Sequence, residues 1–419
     1  MFVLPRSYPN IAYSSLMSSP VHVILCSPIQ PLPLVKTSFC CSTAVQENSA
    51  ALLHAICYTA AAHEAVARDV LDNPLKLLKT SHPTFSTQED TLRHKALSLN
   101  LLSKQLTQDP DDISITEAPI LCVTVLLAAE AILGDSAALI AHTNGLIRMI
   151  ELFGGEELLS PTAATHVNLV DVKSAVVRQM RPSFPLRPDL RRRFDDLSAE
   201  FFQPEDATLF FVGSRFLSQP LSGKISPLLR QCLQYTCHLI SIVEQYHHSR
   251  QYSSIYNIND FLALEHILLS LPYEYSLDAL ENCIRLALLL YSNIALWITP
   301  LYFAWVVSLV HQLQAALLAL DWEDVTQNHP ELLLWFLLLG RYAASSMYTE
   351  GEAAWWTAKV QLVISILGVR QWEEARQIVK GFFYVDRLCS GPWQTVWGSV
   401  ELGNETRLRA MKHPCDRYD

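Results

Sequence analysis

The sequence predicts an all-α protein, a large multi-helix bundle of antiparallel helical hairpins. Three observations predict it. From Glu47 onward, apolar residues recur at steps of three and four, the spacing of one helix face, with few strand-like alternations. Glycine is scarce, 13 residues in 419 where roughly 7% is usual, and none precedes Gly134. Gly-Asp and Gly-Gly pairs fall where periodic stretches end, as helix stops do.

The elements follow in order. Residues 1–46 hold no acid, two bases (Arg6 and Lys36) and six prolines by Pro33, which predicts a disordered tail. Leu92, Ala96, Leu99, Leu102 and Leu106 step by three or four on one core-facing helix stripe that ends near Asp109-Pro110. Thr116 opens a helix that tolerates Pro119 in its first turn and runs to Leu133. Gly134 breaks it, and Asp135 caps a second helix with the stripe Leu139, Leu146, Ile150 and Phe153. The short link makes these two an antiparallel hairpin, closed at Gly154-Gly155. Further helices are expected at Thr165 to Met180, Ser226 to His248, Asp260 to Leu271, Leu277 to Ile298, Leu301 to Leu320, Pro330 to Ala344, Glu352 to Leu367 and Trp372 to Phe382. Trp356, Val360, Val363, Ile364 and Leu367 form one stripe, and Gly368 is its stop. No stretch recurs at a solenoid period.

This divides the chain into a tail (1–46), an N-terminal helical half (47–185), an Arg/Pro-containing connector (186–225), a C-terminal half (226–402) and a tail (403–419). All nine tryptophans lie at or beyond Trp297, so the C-terminal part is expected to hold an aromatic core.

Lys plus Arg number 31 against 41 Asp plus Glu, a formal charge of −10, with 17% charged and 50% hydrophobic residues. That composition excludes a disordered chain and a broadly nucleic-acid-attracting one. The ten scattered cysteines read as reduced core thiols of an intracellular protein, since a disulfide framework is dense and short. The N-terminal tail matches neither a signal peptide nor an Arg-rich transit peptide. Leu286 to Val310 carries no charge and is long enough to cross a bilayer. Thr299-Pro300 interrupts it and no Lys or Arg lies between Arg285 and Arg341, so two buried helices are expected and no membrane insertion.

Phosphate loops, nucleophile elbows and zinc-protease motifs are absent, in keeping with the low glycine content. His238, Glu244 and His248 share a helix, and the last two are one turn apart, but their spacing is that of partly exposed side chains rather than a metal site. Cys232 and Cys237 are five apart and read as core residues. Between Lys173 and Arg193 stand seven bases and one acid. Arg191 to Arg193 could serve nuclear import, but a solvated face balanced by Asp195 and Asp196 is the preferred reading. Asn404-Glu405-Thr406 fits a glycosylation acceptor only in a secreted protein.

Several segments, taken in order, resemble the fungal-specific transcription factor domain, the helical regulatory region that accompanies Zn₂Cys₆ binuclear-cluster DNA-binding domains. They are ALSLNLLSKQL (Ala96 to Leu106), ILCVTVLLAAEAILGD (Ile120 to Asp135) and AHTNGLIRMIELFGGEELL (Ala141 to Leu159), the most specific. DVKSAVVRQMRPSFP (Asp171 to Pro185), RLALLLYSNIALWITP (Arg285 to Pro300), LLLWFLLLGRYAA (Leu332 to Ala344) and WEEARQIVKGFFYVDRLCSGPWQTVW (Trp372 to Trp397) follow. The resemblance implies a nuclear transcriptional regulator acting through its regulatory domain. Its partners would be other transcription factors or a second copy, with a small effector in a helical pocket as an option.

One departure stands out. A binuclear cluster needs six closely spaced cysteines, and only Cys26, Cys40, Cys41 and Cys57 precede Cys122, with no basic run behind them. Sequence-specific DNA binding by this chain is therefore not expected. The expectation is either a truncated gene product or a regulator without its own DNA-binding module. No catalysis and no cofactor is expected, and no catalytic, cofactor-binding or metal residue is assigned. The alternatives are a helical enzyme or metal protein, and a membrane protein around Leu286 to Val310.

Overall fold

The computed structural model describes residues 37–72, 89–107, 116–200, 209–218, 221–249, 257–297, 299–346 and 350–412. Among these it has 17 α-helices and no strand, the all-α multi-helix bundle expected. The chain divides into two compact units, residues 1–71 with 82–170 and residues 72–81 with 171–419.

The first unit carries helices α1 (Thr37–Gln46), α2 (Ala50–Asp72), α3 (Glu89–Thr107), α4 (Glu117–Leu133) and α5 (Ser136–Phe153), and the start of α6 (Pro161–Arg178). Helix α4 is apolar on every side and buried from Ala118 to Ile132, so it must be the centre that the others surround. Side-chain hydroxyls fix the neighbours to it. Thr59 of α2 donates to the Val125 carbonyl at 2.9 Å, and Ser98 of α3 lies 3.3 Å from the Cys122 sulfur. Glu117 in the first turn of α4 accepts from the Ser160 amide and hydroxyl, which sets the entry to α6.

The α4–α5 hairpin forms as expected. Gly134 closes α4 at φ 79°, a left-handed conformation that suits glycine, and the Asp135 carboxylate accepts from the Ala138 amide at 3.0 Å. Leu139, Leu146 and Ile150 are buried along α5, and Gly154 ends it at φ 108°.

Helix α3 departs from expectation. Of the stripe Leu92, Ala96, Leu99, Leu102 and Leu106, only Leu102 is buried. The inward face runs through Thr91, Ser98 and Leu102 instead. A polar serine can face inward because its hydroxyl donates to the Ala51 carbonyl at 2.9 Å, and the leucine stripe is turned outward.

The second unit begins inside α6 and continues through α7 (Pro188–Ala199), α8 (Ser214–Leu217), α9 (Pro227–Ser249), α10 (Ile258–Glu274), α11 (Ala279–Tyr291), α12 (Ala304–Leu318), α13 (Trp322–Asn328), α14 (Pro330–Ala343), α15 (Glu350–Leu367), α16 (Trp372–Val379) and α17 (Asp386–Lys412). Helix α11 starts in a reciprocal cap between Asp278 and Glu281. Helix α14 is buried from Leu332 through Gly340, and the Gly340 backbone lies so close to the Trp356 ring of α15 that a β-carbon would fall 2.2 Å from it. The expected aromatic core is present: Phe216, Trp335, Phe382 and Phe383 pack together, and Trp335 donates to the Phe383 carbonyl at 3.0 Å.

Several boundaries differ from the sequence reading. The segment 1–46, expected as a tail, carries α1 from Thr37, and residues 1–36 lie outside the described residues. The 186–225 connector contains α7, whose Phe194 is fully buried and whose Arg193 pairs with Asp260 of α10. Helix α17 extends to Lys412, into the expected 403–419 tail, and residues 413–419 lie outside the described residues. The expected helix Leu277 to Ile298 is α only to Tyr291 and then widens into a π turn, Ser292–Leu296. That turn and the break before α12 divide the uncharged stretch Leu286 to Val310. By length and composition alone, Ala279–Leu296 could cross a membrane, as could α12 and α13 together despite their 94° bend, but most of the first window is buried within its unit.

Candidate functional site

Lys173 lies in the second half of α6 between Val172 and Ala175-Val176, all buried, so the fold carries its side chain inward. A lone lysine in such a stretch is sealed only when its charge is met. Here the Lys173 Nζ donates to Glu265 Oε2 of α10 at 2.5 Å and to Asn293 Oδ1 at 2.8 Å. The Trp297 ring centroid is 4.7 Å from the ammonium, a cation–π contact. On the other carboxylate oxygen, Ser292 donates at 2.9 Å and Asn293 Nδ2 at 3.1 Å. Asn293 also donates to the Leu289 carbonyl at 2.8 Å.

The π turn makes this arrangement reachable. Its amides reach back five residues, Trp297 to the Ser292 carbonyl at 2.9 Å, and the wider winding brings two consecutive polar side chains onto one buried carboxylate. Burial pushes the Lys173 pKa down, and the facing Glu265 carboxylate opposes that without reversing it. Both side chains are all but closed to solvent. The network therefore holds an ion pair and pins the π turn, and it offers no exposed nucleophile.

A second polar cluster lies in the first unit. Glu130 stands alone as an acid in the apolar body of α4 and is fully buried. Its Oε1 accepts from Tyr58 of α2 at 2.9 Å and from Lys95 of α3 at 2.7 Å, with His142 of α5 at 4.0 Å. Oε2 is buried without a hydrogen-bond partner among the described residues. One turn before Tyr58, His54 faces His94 with their Nδ1 atoms 2.9 Å apart, so one ring donates and the other accepts. Burial and the neighbouring His94 and Arg93 hold the His54 pKa below its usual value. Burial likewise lowers that of His142, against the pull of Glu130. Tyr58, Lys95 and His142, from three different helices, thus converge on one buried carboxylate.

Neither cluster was assigned from the sequence. The usable signal was a single charge inside an apolar helical run, Glu130 in ILCVTVLLAAEAIL, Lys173 in DVKSAVV and Glu265 in FLALEHILLSL. Which charges meet could not be read, because each pair spans elements far apart in the chain.

The residues weighed from the sequence fall elsewhere. Glu244 is paired with Arg387 at 2.6 Å, His238 lies 3.4 Å from the Glu200 carbonyl, and the His248 side chain lies outside the described residues. Among the described residues no group of three or more metal-ligating side chains is assembled. Cys232 and Cys237 are buried thiols, and burial raises the pKa of Cys237 to about 12. The basic stretch from Lys173 to Arg193 is largely answered by acids: Lys173 by Glu265, Arg187 by Asp189, Arg191 by Asp195 and Arg193 by Asp260. Arg192 is exposed. Cys26 and Cys415 lie outside the described residues, as does the Cys41 side chain, and Asn404 to Thr406 fall on α17.

In the segment Asp171 to Pro185, the Asp171 carboxylate accepts from the Ser183 and Phe184 amides at 2.7 and 2.9 Å, and His266 lies 2.9 Å from the Phe184 carbonyl. The turn after α6 is thereby held in one conformation. No protein-family model, curated protein or solved structure matches the chain.

Proposed function

We propose that the chain is a nuclear transcriptional regulator of the fungal Zn₂Cys₆ type, acting through its helical regulatory domain and protein contacts. The observation that carries this reading is the ordered set of segments that resemble that domain. Each falls on a helix or a helix end of the fold: Ala96 to Leu106 on α3, Ile120 to Asp135 on α4 and its stop, Ala141 to Leu159 on α5 and its Gly-Gly end, and Asp171 to Pro185 on α6 and its pinned turn. Arg285 to Pro300, Leu332 to Ala344 and Trp372 to Trp397 fall on α11, α14 and α16 to α17. An all-α body whose charged clusters are closed and internally paired suits a domain that works by contact and rearrangement. Residues 1–419 hold no six-cysteine run, so these residues by themselves do not build the binuclear zinc cluster.

The test is a tethered reporter assay. The chain is fused to a heterologous DNA-binding domain in yeast, and transcription from a promoter carrying its site is measured. The reading expects output to rise or fall several-fold against the DNA-binding domain alone. Unchanged output from a fusion that is expressed, nuclear and folded would overturn it.

A further inference from the structure

Arg285 of α11 is a buried charge, 8% exposed, that meets no opposite charge among the described residues. Its Nε and Nη2 donate to Asn282 Oδ1 at 3.1 and 2.8 Å, and Nη1 reaches the Leu268 carbonyl of α10 at 3.4 Å, so the acceptors it finds are neutral. Its surroundings make that unusual. Elsewhere in the second unit Lys173 is answered by Glu265, Asp260 by Arg193 and Glu244 by Arg387. Glu281, one turn before Arg285 and a partner by spacing, is turned to the helix cap instead, where it accepts from the Ser226 and Asp278 amides. Losing the proton is no escape, since burial lowers the Arg285 pKa only to about 10. A cation sealed in this way is costly until an anion joins it.

The groups around it are donors. Asn282 gives Oδ1 to the guanidinium, which leaves its Nδ2 without a protein partner among the described residues. The Tyr273 phenol, on a side chain 54% exposed, acts on the Arg285 charge from the end of α10, and its hydroxyl makes only a 3.4 Å contact with the Gln179 carbonyl. Guanidinium, amide and phenol are a donor set for an oxyanion. One positive charge matches one negative charge, and Glu274, Asp278 and Glu281 at the same α10–α11 corner oppose a dianion.

We propose that Arg285, Asn282 and Tyr273 form a binding site for the carboxylate of a small molecule. The proposal goes beyond the regulator reading and does not rest on it, since it follows from the α10–α11 corner alone.

The test is urea unfolding of the purified full chain, followed by tryptophan fluorescence, with sodium acetate as the probe and sodium chloride and sodium sulfate at matched ionic strength as references. Acetate at about ten times its dissociation constant is expected to raise the folded-to-unfolded ratio about tenfold over chloride, saturably. Arg285→Met is expected to lose that gain and, in chloride, to be as stable as the original chain, because it deletes an unanswered charge and keeps the length of the side chain. Tyr273→Phe, an exposed change, should raise the acetate concentration that gives half the gain several-fold. An Arg285→Met chain that fails to fold, or whose folded-to-unfolded ratio in chloride drops more than about tenfold, would mean that Asn282 and Leu268 already satisfy the guanidinium and would overturn the proposal. So would the absence of an acetate gain in the original chain, a gain that either variant retains in full, or an equal Arg285-dependent gain from sulfate. Arg285-dependent self-association in sedimentation with no acetate gain would overturn it in favour of a carboxylate on a second copy.

Discussion

Replacing Lys173 by methionine removes one half of a charge pair that is closed to solvent. Glu265 then keeps Ser292 and Asn293 on Oε1, but Oε2 loses its partner and the Asn293 carbonyl oxygen loses its donor. Breaking a buried pair from one side costs about 3–5 kcal/mol, because the remaining charge stays buried and unanswered. Lys173→Met should therefore lower the stability of the second unit by about that amount. Adding Glu265→Gln removes the stranded charge and leaves an amide that Ser292 and Asn293 can still bond, so the double variant should recover at least about 2 kcal/mol of the loss. Glu265→Gln alone leaves a lysine whose pKa burial already pushes down. For a base held below its ordinary value, the folded state binds fewer protons than the unfolded one. The stability of that variant should then rise as pH approaches the ordinary lysine value from below, by at most about 1.4 kcal/mol per pH unit. All nine tryptophans lie in the second unit, and Trp297 touches Lys173, so tryptophan fluorescence during urea unfolding reads this unit selectively. A Lys173→Met loss under about 0.5 kcal/mol, or a double variant as unstable as the sum of the singles, would refute the reasoning.

Other outcomes follow from the packing. Leu146→Asp buries an unpaired charge in the α4–α5 hairpin and should cost more than about 3 kcal/mol by circular dichroism melting, whereas Arg148→Ala on the exposed side should stay within about 0.5 kcal/mol. Gly340→Ala forces a β-carbon into the Trp356 ring and should destabilise by about 1–3 kcal/mol, with a change in near-ultraviolet circular dichroism from the displaced indole. Burial pushes the Asp171 pKa up to about 6 from 3.8, despite the amides of Phe184 and Ser183. The folded state then holds this proton more tightly than the unfolded one, so its contribution to stability grows as pH falls from about 6 to about 4. Asp171→Asn should remove that component, seen as a flatter difference between the two pH profiles over the same window.

The helical architecture could be read in the sequence because its determinants are local. Gly134, Asp135 and Gly154 act within a few residues of themselves, and the stripe Leu139, Leu146 and Ile150 is buried as its spacing requires. The α3 stripe misled for a related reason. Periodicity gives a face but not its direction, and Ser98 took the inward side through two long-range contacts that no spacing reveals. The π turn at Ser292 was invisible because it depends on a partner, Glu265, on another helix. Both polar clusters share that character. Glu130 with Lys95, and Lys173 with Glu265, are separated along the chain and joined only by tertiary packing.

The central proposal, a transcriptional regulator acting through its helical domain, is tested most directly by chromatin occupancy of an epitope-tagged protein in its own cells. The account predicts enrichment at discrete promoters, while purified residues 1–419 bind the same promoter DNA only weakly and in a salt-sensitive way. A chain that stays outside the nucleus, or that shows no promoter enrichment when expressed and folded, would contradict it.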